Sequence, residues 1–120
     1  MKKLFISCPM KGRTEENIKK SMEKMHKIAE AVFDEELEVI ENDIPDHAPK
    51  TKHDRIWYLG ESVKMMADAD YFIGIVGYQF NGCTFERSVA EQYGIKGYTV
   101  PARIIADDVA TDEACTVCEC

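Results

Sequence analysis

Six consecutive residues, Tyr71-Phe72-Ile73-Gly74-Ile75-Val76, carry no charged side chain. A strand with one wet face alternates apolar and polar residues, whereas one that is apolar at every position needs cover on both faces. Such a strand belongs in the middle of a parallel sheet with helices above and below it. The rest of the chain supplies the other parts. Leu4 to Ser7 is a short apolar run that predicts a buried strand, and Leu37 to Ile40 reads as another. Tyr98 to Ile105 predicts a last strand, with Pro101 near an edge or an end. Helical periodicity fills the gaps. Thr14 is an N-cap candidate with Glu15 and Glu16 behind it, and Ile18, Met22, Met25, Ala29 and Val32 then recur at spacings of four and three. Ile56, Leu59, Val63 and Met66 mark a second helix. A third runs from about Cys83 to Tyr93, with Phe85, Val89 and Tyr93 on one face and Gly94 as its stop. The order β-α-β-α-β-α-β predicts an α/β fold with a parallel sheet of four to five strands flanked by helices.

The chain has 120 residues, enough for one domain, which we place at 1–105. Residues 106–120 form an acidic tail with Cys115, Cys118 and Cys120, expected to be mobile. The net charge is −7, but Asp107, Asp108, Asp112, Glu113 and Glu119 all lie in that tail, and without them the body stands near −2. A nearly neutral body lacks the basic footprint that a nucleic-acid polymer requires. No apolar run is long enough to span a bilayer, so no membrane association is expected. The apolar run at the start stops at Ser7, short of a signal-peptide core, and a cytoplasmic protein is expected. The tail thiols lack a partner pair at metal-ligand spacing, so neither a metal nor another cofactor is expected.

In open parallel sheets ligands bind beyond the carboxyl ends of the strands. Two loops therefore matter. After the first strand come Ser7-Cys8-Pro9-Met10-Lys11-Gly12-Arg13-Thr14, with hydroxyls and two cations leading into a helix N-terminus suited to an anion. Ser7, Pro9, Met10, Gly12 and Arg13 are the substrate-binding candidates there. The loop is not a P-loop, because the Gly-Lys-Ser/Thr spacing is absent. After the third strand come Gly77 to Gly82, with Gly77, Asn81 and Gly82 as further candidates. Gly82-Cys83-Thr84-Phe85-Glu86 then puts a carboxylate in what reads as the first turn of the third helix. A carboxylate there can attack a sugar carbon or stabilise an oxocarbenium-like transition state. It can also be an ordinary first-turn acid placed by the helix dipole.

Three segments together carry a resemblance: Ala69-Asp70 ahead of the third strand, Gly82-Cys83-Thr84-Phe85-Glu86, and Ala90-Glu91-Gln92-Tyr93-Gly94. Their order and spacing resemble the nucleoside 2-deoxyribosyltransferase superfamily. The opening Ile6 to Thr14 resembles the first-strand loop of its small bacterial and phage members. The likeness covers about residues 3 to 100. It implies a flavodoxin-like (Rossmann-like) sheet. It also implies cleavage of an N-glycosidic bond in a deoxynucleoside or its monophosphate, with Glu86 as the nucleophile and the first-strand loop against the sugar or a 5′-phosphate. Sites in that family are often completed by a neighbouring subunit, which implies a homodimer or a higher homo-oligomer. The family pattern also has an acid about eight residues before the Ala-Asp aspartate. Counting back from Asp70 reaches Ser62, and Glu61 beside it is turned by roughly 100° around the helix. His47 and His53 are alternative proton donors, and Trp57 and Tyr58 are candidates to stack on a base. Two expectations stand side by side: an N-glycosidase or deoxyribosyltransferase, or a protein that binds a nucleotide-derived ligand without turning it over. A structural interaction protein is a third.

Overall fold

The computed structural model describes residues 1–10, 12–41, 44, 48–76 and 81–105. Four strands are present among them: β1 (Lys2–Ile6), β2 (Leu37–Val39), β3 (Tyr71–Val76) and β4 (Lys96–Pro101). All pair in parallel, in the order β2-β1-β3-β4. The helices are α1 (Glu15–Phe33), α2 (Asp54–Met65), α3 (Asn81–Gln92) and a short α4 (Ala102–Ile105), with a 3₁₀ turn at Met66–Asp68. This is a flavodoxin-like α/β arrangement. β3 is central, as its uninterrupted apolar run requires, and Tyr71 to Ile75 are all buried. It pairs with β1 at Leu4↔Tyr71, Phe5↔Phe72 and Ile6↔Ile73.

Alternation along these strands divides the core in two. Leu4, Ile6, Tyr71, Ile73 and Ile75 pack with Met25 and Ala29 of α1. Phe5 and Phe72 face the other way, toward Met66 and Ala90 of α3, with their rings stacked at 6.0 Å. Phe72 fits because two strand positions beside it are glycine. A Cβ on Gly74 would meet its ring at 2.9 Å, and one on Gly97 at 3.2 Å.

α1 begins as its sequence predicts. Thr14 caps it, its hydroxyl accepting from Asn17 N at 3.1 Å. Asp34 ends it at φ 56°, in the left-handed region where Asp is one of the few tolerated side chains. The predicted stripe holds at Met25 and Ala29 but not at Val32, which is exposed. Phe33, one residue on, takes over the last turn by stacking on Tyr71 at 4.2 Å. The last strand also differs from expectation. It spans Lys96–Pro101, and 102–105 turn into α4. Pro101 has no N–H for the next rung of a ladder, and the chain bends back so that Ile105 is buried against α1. No helix of the described residues is long and apolar enough to cross a membrane. The tail 106–120 lies outside the described residues.

Candidate active site

The chain runs one way across the sheet from β1 to β2 and the opposite way from β3 to β4. The reversal falls between β1 and β3, where parallel sheets open a crevice at their carboxyl edge. Ser7 stands at that point. Its N–H continues the β1–β3 ladder to Ile73 O at 2.8 Å, which fixes the backbone. Alternation then aims its side chain to the α3 face, next to Gly74.

There it meets Glu86. Ser7 Oγ donates to Glu86 Oε1 at 2.6 Å, and Ser62 Oγ of α2 donates to Oε2. Both serines reach the same carboxylate from different elements, 79 and 24 residues away in sequence. Glu86 is 8% exposed and Ser7 1%. Burial pushes the Glu86 carboxyl above the ordinary range for a glutamate, and the hydroxyls of Ser62 and Ser7 pull it back by favouring the charged form. The result is a dehydrated carboxylate in a fixed orientation, with one hydroxyl on each oxygen.

The setting of Glu86 differs from expectation in two ways. α3 starts at Asn81, so Glu86 lies in its second turn, and no acid occupies the first. The dipole of α3 is therefore not what holds the charge, because that effect fades beyond the first turn; the two serines do the work. Of the expected inward line Phe85, Val89 and Tyr93, only Val89 packs against the core, beside Ala90. Phe85 is 49% exposed and Tyr93 80%, while Cys83, Glu86 and Ala90 are buried. A glutamate on the buried line breaks the apolar pattern, and for that reason periodicity favoured the neighbouring one.

The first-strand loop divides by role. Pro9 is buried, Met10 and Gly12 are exposed, and Gly12 has φ +75°, which a side chain would strain. Arg13 turns inward. Its Nη1 donates to Pro9 O at 2.9 Å and lies 3.6 Å from Cys8 Sγ. Its Nη2 donates to Ser21 Oγ at 2.6 Å and to Asn17 O at 3.3 Å. Buried Ser21 donates in turn to Ile105 O at 3.3 Å. Arg13 thus ties the loop beside Ser7 to α1 and α4, a role that nothing in its sequence context signals. Gly82 is half-buried one turn before Glu86. Lys11, His47 and Gly77 lie outside the described residues, as does the Asn81 side chain.

On α2, Glu61 pairs with Lys64 at 2.7 Å and takes no part in the contact with Glu86. The rotation of one residue that separates it from Ser62 decides which side chain reaches α3. Tyr58, one turn before Ser62, accepts from Ala48 N at 2.9 Å and meets Trp57 edge-on at 5.1 Å. His53 precedes α2 and is exposed. Among the described residues no group of three or more His, Cys, Asp or Glu side chains could hold a metal ion. Comparison with protein-family models, with curated proteins and with solved structures finds no match to this chain.

Proposed function

We propose that the chain processes the N-glycosidic bond of a nucleoside or nucleotide, as a 2-deoxyribosyltransferase or a nucleotide N-glycosidase, with Glu86 as the nucleophile. One observation carries this: Glu86, the one buried carboxylate among the described residues, stands at the sheet's switch point with each oxygen fixed by a serine hydroxyl. A buried carboxylate that, among the described residues, is held by hydroxyls and not by a cation contributes little to folding and suits attack on an electron-poor carbon. Glu86 would bond to C1′ as the base departs, and water or a second base would then take the sugar. Loop 7–13 would lie against the sugar or its 5′-phosphate. The protein would act in the cytoplasm as a homodimer or a larger homo-oligomer, on small molecules and not on a nucleic-acid polymer.

The test is release of free base from a panel of deoxynucleosides and their monophosphates. The wild-type chain is expected to release base and Glu86→Ala to lose the activity by 10³-fold or more, about the cost of removing a nucleophile. Equal base release by the two proteins would overturn the proposal. A second reading, a protein that binds such a ligand and leaves it intact, is favoured by Ser62 standing where an acid is expected. Calorimetric binding of a deoxynucleotide that survives overnight incubation separates the two.

A further inference from the structure

α2 packs on the second core through Val63 and Met65 and leaves its other face open. No residue within Asp54–Met65 is fully buried, and Trp57, Tyr58 and Leu59 are only half-buried. Ile56 is 67% exposed. At the centre of the open face stands Gly60, itself exposed. A glycine inside a helix weakens it relative to alanine. The described chain gives no return for that cost. Gly60 is not among the glycines at positive φ, and a Cβ built on it would meet nothing within 4 Å among the described residues. A mid-helix glycine with open space above it suits the close approach of a second backbone.

The side chains around Gly60 say which backbone that is. At about 100° per residue, Asp54 and Lys64 fall to one side of the line through Gly60, and Ile56 and Val63 fall to the other. A two-fold axis that sets two copies of α2 antiparallel keeps each side together and reverses its direction. The acid at the start of one helix then faces the lysine near the end of the other, twice. Ile56 faces the partner's Val63 in the same way. The offsets along the axis are about two residues and about one, roughly 3 Å and 1.5 Å, within the reach of a lysine and an isoleucine. A parallel pair would instead set each of these charges beside an apolar side chain.

We propose that a second copy of this chain docks on α2, antiparallel to it and crossing at Gly60, with Asp54 paired to the partner's Lys64 and Ile56 packed on the partner's Val63. This rests on the homo-oligomer of the reading above and gives it a surface, without depending on the chemistry at Glu86. Lys64 keeps its 2.7 Å contact with Glu61 and lies between two carboxylates. Ser62, on the opposite side of α2, is bonded to Glu86. Docking therefore braces from outside the helix that positions the carboxylate from inside.

Sedimentation equilibrium of the full chain, with no substrate present, tests this. The wild type is expected to dimerise as its concentration rises. Gly60→Leu puts a good helix former at an exposed position, so the monomer should stay folded while the dimer Kd rises about tenfold or more through overpacking. Asp54→Lys and Lys64→Asp each set like charges together and should each weaken self-association. Mixed, the two variants restore both ion pairs, so heterodimer is expected in excess of its statistical share. Amide exchange over residues 55–65 should slow as the wild-type concentration rises and should not in Gly60→Leu. A wild type that stays monomeric, a dimer indifferent to Gly60→Leu, or variants that pair no better with each other than with themselves would each overturn the proposal. A wild-type monomer that Gly60→Leu destabilises would put a segment of the same chain over this face and overturn it too. Base release dependent on Glu86 is read in a separate assay, so that reading survives every one of these failures.

Discussion

Glu86 holds its position against its own desolvation. Its carboxyl sits above the usual glutamate range because burial disfavours the charge, and the two serines recover only part of that cost. A group whose folded pKa is raised contributes stability that is fully present below its unfolded value, near 4.5, and is lost as pH rises through the folded value. At neutral pH the buried Glu86 carboxyl therefore weakens the fold. Glu86→Gln keeps the shape and removes the charge, so it is expected to raise Tm at pH 7 by a few degrees, corresponding to about 1 kcal/mol. That advantage should shrink as pH falls toward 4.5, and a scan of Tm against pH for both proteins reads it directly. An unchanged difference across that range would mean the carboxyl is not desolvated. Ser62→Ala and Ser7→Ala remove a donor from the charged form. Each should move the acid limb of activity to higher pH than in wild type, which pH–rate profiles would show.

At the scale of elements, Arg13 is the tie between the site and its support. Its guanidinium joins Pro9 O, Asn17 O and Ser21 Oγ, and Ser21 carries the chain of bonds to Ile105 O. Arg13→Met leaves these acceptors without their donor, at a cost of about 1–3 kcal/mol. Denaturant unfolding should show a matching drop in midpoint with the slope unchanged. β3 sets a different limit. Gly74→Ala drives a Cβ to 2.9 Å from the Phe72 ring, directly beside Ser7, and should cost about 1–3 kcal/mol by overpacking. The same elements show why part of the structure was legible in the sequence. An all-apolar run has one comfortable place, the centre of a covered sheet, so β3 and the parallel order could be read directly. Thr14 has a hydroxyl at the cap position, so the start of α1 was legible too. Ser62 drew notice only as a departure from the acid that the resemblance implies on α2; the hydroxyl bond it makes to Glu86 was not legible in the sequence. The inward face of α3 was not legible. Periodicity ranks faces by apolar content, and this face carries its glutamate inside. The Arg13 tie was equally hidden, since an arginine after a glycine in a loop looks the same whether it meets a ligand or its own backbone. The end of β4 was missed because Val100 and Ile105 are both buried although a turn lies between them.

Across the whole molecule, stability and function are unevenly placed. β1 and β3 are flanked by strands on both sides and hold seven of the buried side chains, Leu4, Phe5, Ile6, Tyr71, Phe72, Ile73 and Ile75, while β2 and β4 are edges. α1 buries Ser21, Met25 and Ala29, whereas α2 has no fully buried residue within Asp54–Met65. Regions with few buried apolar contacts open at low free energy. α2 is therefore expected to exchange its amide hydrogens well before α1 and β3. Yet α2 carries Ser62, which completes the cradle around Glu86, so the site is closed by a helix with no fully buried residue. A ligand that engages Glu86 and the rim formed by α2 must bind the docked state of that helix in preference to the loosened one, and so shift the balance toward it. Hydrogen exchange with and without a saturating substrate analogue measures this. Protection should rise most over residues 55–66, by about 100-fold for a ligand at 100 times its Kd, while β1 and β3 change little below the global limit. Ser62→Ala should leave ligand-free exchange in α2 faster than in wild type, because the hydroxyl bond to α3 is one of the contacts that dock it. Protection confined to α1, with α2 indifferent to the ligand, would place the binding surface on the other face of the sheet and remove Ser62 from it.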